Sequence, residues 1–108
     1  DVENQDLEFY SKADLIFLRK IIETTIKNQE TIDKNITQYI KKDWAMDRID
    51  PTLRAIFRAA AAEFIIQTPP KIVISEFLEI AKSFFPNGKE CKLANGVLDK
   101  LATQILST

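Results

Sequence analysis

The stretch Lys89-Glu-Cys-Lys-Leu-Ala-Asn-Gly-Val-Leu-Asp-Lys-Leu101 decides how this chain is to be read. At its centre is Asn95-Gly96, a dipeptide that favours the tight turn of a β-hairpin. The apolar residues around it do not alternate as strands would. Leu93, Val97, Leu101 and Ile105 recur every four residues, with Ala94 and Leu98 beside them. That spacing lines one face of a helix. The segment from about Glu90 to Ile105 is therefore predicted to be helical, with Asn95 and Gly96 inside it. A glycine in a helix interior costs about 1 kcal/mol against alanine. The expected compensation is close approach of the alanine-rich helix upstream, with Gly96 as the notch. Asn95 is then placed to bond a neighbouring helix end or loop, or to contact a ligand.

The same reasoning extends outward. "DVENQDLEFY" carries four acids and no base and is expected to be a loosely ordered lead. Ser11-Lys12-Ala13-Asp14 matches a capping box, followed by a stripe of Leu15, Leu18, Ile22 and Ile26 that ends near Asn28. A second helix is expected from about Thr31, with Ile32, Ile36 and Ile40 inward and Tyr39 alongside. "KKDWAMDRID" (41–50) breaks the pattern and reads as a connection, where Trp44 is expected to close an edge of the core. Asp50-Pro51 restarts a helix, since aspartate caps and proline at the first position loses no hydrogen bond it needed. Leu53, Ile56, Phe57, Ala60, Ala61, Phe64 and Ile65 give that helix a broad apolar face, the mark of a central element. Pro69-Pro70 ends it and launches another, striped by Val73, Phe77, Ile80, Ala81 and Phe84. Pro86-Asn87-Gly88 is a turn into the last helix. The prediction is an all-α, compact helical bundle of about five helices, with residues 11–108 as a single domain.

Composition narrows the function. The 108 residues carry a net charge of −1, 45% apolar and 29% charged side chains, one cysteine and no histidine. Charge relays that need histidine are excluded, as are an internal disulfide and the usual zinc ligand sets. Two glycines cannot build a phosphate loop. No apolar run reaches the roughly 18 residues of a membrane span. The single free cysteine fits a reducing, cytoplasmic compartment. Glu63 and Glu76 lie beside apolar runs and are expected to pair with Arg54 or Arg58, or for Glu76 to serve the N-terminus of its helix, rather than to act as an acid and base. Cys91 is expected to be an ordinary thiol. Lys89 and Lys92, at the start of the last helix with Lys82 just before, form a corner suited to phosphate. No enzyme activity, metal or cofactor is expected.

Three blocks then stand in order: "LRAIFRAAAAEF" (53–64), "PKIVISEFLEIAKSF" (70–84) and "LANGVLDK" (93–100). In that order and spacing the chain resembles the NusB family of bacterial transcription antitermination factors, and would be the C-terminal part of a NusB-like fold. The resemblance implies a helical module that binds boxA single-stranded RNA together with the ribosomal protein NusE, within an antitermination complex of RNA polymerase. It puts RNA contacts at Lys89, Lys92 and Asn95, and the protein partner near Asp47 and Arg54. The arginine-rich helices that open family members have no counterpart here, and the aromatic that begins the family's last block is Leu93. The alternative reading is a NusB-like accessory domain of a ribosomal RNA cytosine methyltransferase.

Overall fold

The computed structural model describes residues 2–40, 48–86 and 88–107, with side chains from Lys12 onward except at position 13. Four helices follow one another: α1 (Val2–Tyr39), α2 (Pro51–Ile65), α3 (Pro70–Phe84) and α4 (Lys89–Leu106). The described residues form no strand. The expected first two helices are one, and it begins at Val2, ahead of the expected start at Ser11. Neither glycine nor proline occurs before Pro51. Asn28, where a break is expected, bonds back along the helix instead, its Nδ2 donating to the Thr24 carbonyl at 2.8 Å, as does Thr25 Oγ1 to that of Ile21 at 2.7 Å. Such back-bonding lets polar residues remain inside a helix.

Only the second half of α1 meets the core. Ile32, Ile36 and Ile40 are buried, whereas the upstream stripe is not: Leu15 is 62% exposed, and Leu18, Ile22 and Ile26 are open as well. The stripe is helical, as its spacing requires, but no described residue covers it. The radius of gyration, 15.0 Å, exceeds the roughly 13 Å of a compact chain of this length.

Helix α2 is the hub, packing on each of the other three. Its start follows the sequence reading: Asp50 Oδ1 accepts from the Thr52 amide at 2.7 Å, with Pro51 in the first turn. Leu53, Phe57, Ala60, Ala61 and Phe64 are fully buried. Arg58 forks onto Asp33 of α1, with Nε to Oδ1 at 2.8 Å and Nη2 to Oδ2 at 2.9 Å. This bidentate geometry fixes the register between the helices. The helix ends in a Schellman arrangement: Thr68 N bonds the Glu63 carbonyl at 3.0 Å and Gln67 N that of Phe64 at 3.1 Å. Gln67 takes the left-handed conformation, φ 68°, that glycine adopts most easily.

Val73, Phe77 and Ala81 are the buried face of α3; Ile80 and Phe84, expected to share it, are exposed. Helix α4 buries Ala94, Val97, Leu98, Leu101 and Ala102, so the helical reading of the opening stretch holds. The reason given for Gly96 does not. It is exposed, and a Cβ built there meets nothing within 4 Å. Ala94 and Leu98, fully buried, make the inner contact instead.

Three stability measurements follow. Phe57→Ala opens a cavity at the hub and should cost about 3–5 kcal/mol in urea unfolding; a loss below 1 kcal/mol would show that α2 is not central. Gly96→Ala should gain about 1 kcal/mol; a loss would restore the packing notch. Gln67→Gly should relieve about 1 kcal/mol of left-handed strain, and a destabilised variant would argue against that conformation.

Candidate nucleic-acid interface

The sequence-predicted residues Lys89, Lys92 and Asn95 occupy successive i, i+3 positions on α4 and are all exposed. Lys89 and Lys92 lie on the face opposite the buried Ala94-Leu98-Leu101 seam and Asn95 on its flank, so packing on α2 turns the lysines outward. Among the described residues neither lysine makes an ion pair, whereas Lys82 lies 3.8 Å from Glu79. The turn leading to α4 is held by Phe85: its amide closes α3 on the Ala81 carbonyl at 2.8 Å, and its own carbonyl receives the Gly88 amide at 3.3 Å. Cys91, half-buried, donates its thiol to that carbonyl at 3.2 Å, a structural role as expected. Gly88 caps the helix without a side-chain bond. Glu90 in the first turn folds its carboxylate back toward Gly88, where negative charge suits the helix dipole. The lysines, rather than the helix terminus, are therefore the groups open to an anion.

Phe84 belongs by spacing to the apolar stripe of α3 and is expected in the core. The structure leaves it 61% exposed, beside Phe85 with ring centroids 6.4 Å apart. Adjacent residues on a helix point about 100° apart, so the tandem Phe84-Phe85 itself signalled that both could not face inward. Phe84 offers, at the end of α3, an exposed aromatic face of the kind on which bases stack, while Leu93 is half-buried against the core. Arg54 lies early in α2, half-buried. Asp47 and Trp44 fall outside the described residues.

Glu63 departs from its expected pairing. It is 4% exposed, one carboxylate oxygen lacks a hydrogen-bond partner, and Arg58 is committed to Asp33. Burial above all, and then the charge of Glu76, raise its pKa above the ordinary glutamate value. So enclosed a group is no general acid for an outside substrate. Among the described residues no cluster of potential metal ligands occurs, and no helix is long and apolar enough to cross a membrane.

Residues 3–103 match the NusB family model. The chain belongs to the NusB family. It is 40% identical over 102 residues to "Transcription antitermination protein NusB" of Sinorhizobium fredii, covering 93% of this chain and 63% of that one. The Gluconobacter oxydans protein of the same name is 39% identical over 90 residues, 83% of this chain and 56% of that one. A solved structure of T. maritima NusB superposes with a TM-score of 0.69 at 28% identity, covering 83% of this chain and 67% of that one. The chain thus spans under two thirds of the length of these curated NusB relatives.

The raised Glu63 pKa sets a pH dependence. Below about pH 4.3 the residue is protonated in folded and unfolded chains alike. Above that the unfolded chain releases its proton first, so this group's stabilising share is lost as pH rises through the folded value. Glu63→Gln should therefore be more stable than the unaltered chain at neutral pH and lose less stability between pH 4 and 7 in urea unfolding. Equal slopes would mean that Glu63 finds a partner in solution.

Proposed function

We propose that this chain is the RNA-binding part of a transcription antitermination factor. It holds boxA-type single-stranded RNA jointly with the ribosomal protein NusE, in the cytoplasm, and so modifies elongation by RNA polymerase. It catalyses no reaction. The observation that carries this reading is the start of α4: Lys89, Lys92 and Asn95 are exposed at i, i+3 spacing, neither lysine makes an ion pair among the described residues, and the preceding helix ends on the exposed ring of Phe84. Lysines neutralise phosphates without regard to sequence, and an aromatic face accepts an unstacked base. The printed name of the relatives, transcription antitermination protein, supports this over the methyltransferase-domain reading. Arg54 at the start of α2, with Asp47 upstream, is the proposed contact for the protein partner.

Fluorescence anisotropy with labelled boxA RNA and a scrambled control, each with and without NusE, tests the reading. Preference for boxA is expected. Replacing Lys89 and Lys92 together by alanine should lower the salt slope by about 2, one per lost phosphate contact, and weaken both RNAs alike. Phe84→Ala should weaken binding by about tenfold, the lower range for one stacked base. Equal affinity for both RNAs, with or without NusE, would overturn the proposal.

A further inference from the structure

The lysine corner is one end of a longer feature. Lys89, Lys92, Gly96, Lys100 and Thr103 step by three or four residues along α4 and are all exposed. They form a single outward stripe about 21 Å long at 1.5 Å per residue. Gly96 lies at its middle, one turn from Lys92 and one from Lys100. An exposed glycine within a helix costs stability, and among the described residues no contact uses its missing Cβ. What it leaves is bare helix backbone flanked by two ammonium groups, room for another backbone to lie against the helix.

The stripe runs into a cleft of about 500 Å³ where the ends of α1 and α4 meet, lined by Tyr39, Asp99, Lys100, Thr103, Gln104 and Ser107. Its walls are already oriented. The Tyr39 hydroxyl donates to Gln104 Oε1, and Gln104 Nε2 donates to Asn35 Oδ1 at 3.0 Å. This chain of bonds fixes both the ring and the amide across the two helices. Thr103 Oγ1 donates to the Asp99 carbonyl at 3.0 Å and Ser107 Oγ to that of Gln104 at 2.9 Å. With those protons committed, both hydroxyl oxygens, like the Asp99 carboxylate, face the cleft as acceptors. The Lys100 ammonium rests 5.9 Å from the centroid of the Tyr39 ring. It covers one face of that ring, on a side chain long enough to swing away to a phosphate and leave the face to a base.

We propose that the outward stripe of α4 carries the single strand beyond the lysine corner, with its sugar-phosphate backbone against Gly96 between Lys92 and Lys100, and that the Tyr39 cleft receives one unstacked base. The inference rests on the RNA-binding reading above and extends it to the far end of α4. A wall rich in acceptors favours a base that presents an amino group over uracil. Three lysines to one aspartate along the stripe give it the sign a phosphate chain needs.

The test uses the full chain and the same labelled boxA RNA, with thermal melts to confirm folding. Gly96→Leu fills the notch without touching a neighbour, so it should fold as before and bind about tenfold more weakly. Lys100→Gln should lower the salt slope by about 1. RNAs with a single abasic site are then walked along the sequence. One position should show a loss of about tenfold on the unaltered chain that vanishes on Gln104→Ala and on Tyr39→Ala. Should either cleft variant melt early, the other supplies the comparison. If the unaltered chain binds no RNA, both readings fall. If it binds through Lys89 and Lys92 while Gly96→Leu, Lys100→Gln and the cleft variants retain full affinity and salt dependence, this inference alone falls.

Discussion

The burial of α2 is the constraint on which the structure depends. Ala60 and Ala61 let neighbouring helices come close, while Leu53, Phe57 and Phe64 fill the space on either side. Each large apolar side chain so enclosed contributes about 1.5–3 kcal/mol. Polar groups set the limits of this helix: the Asp50 cap at its start, the Arg58–Asp33 fork toward α1 and the left-handed turn at Gln67. Together they fix where α2 begins, how it is rotated and where the chain leaves it.

The proposed binding surface follows from that arrangement through helix periodicity alone. Because Ala94, Val97, Leu98, Leu101 and Ala102 dock inward, the residues interleaved with them must face out. Lys89, Lys92, Gly96, Lys100 and Thr103 are those residues. The core seam and the outward stripe are two faces of one helix, and the rigidity of the first orients the second. The Tyr39–Gln104–Asn35 bonds then tie the far end of α4 to α1, and the stripe ends at a shallow, solvent-open depression between the two helices.

Much of this was legible in the sequence. The four-residue stripe around Asn95-Gly96 overruled the hairpin signal, Asp50-Pro51 and Pro69-Pro70 marked helix starts, and three ordered blocks pointed to the family. The misreadings share one cause: periodicity tells which residues lie on a face, but not whether anything covers it. Leu15, Leu18, Ile22 and Ile26 are correctly striped and exposed; Phe84 is correctly phased and turned outward. For Gly96 the sequence carries the cost of a helical glycine but not the place of its partner, and no described residue of the chain approaches it. Glu63 was expected to find Arg58, yet only the folded register shows that Asp33 takes it. The Tyr39 cleft left no local signal, because Gln104 lies 65 residues from Tyr39 and their pairing needs the packed bundle.

The account's central claim is that the outward face of α4 is the RNA surface. Titration of the isotopically labelled chain with boxA-type single-stranded RNA, followed through its backbone amide resonances, tests this most directly. The account predicts shifts concentrated at Lys89, Lys92, Asn95, Gly96, Lys100 and Thr103, extending to Tyr39, while Leu15 to Ile26 of α1 stay unmoved. Shifts confined to that α1 stripe, with α4 silent, would contradict it.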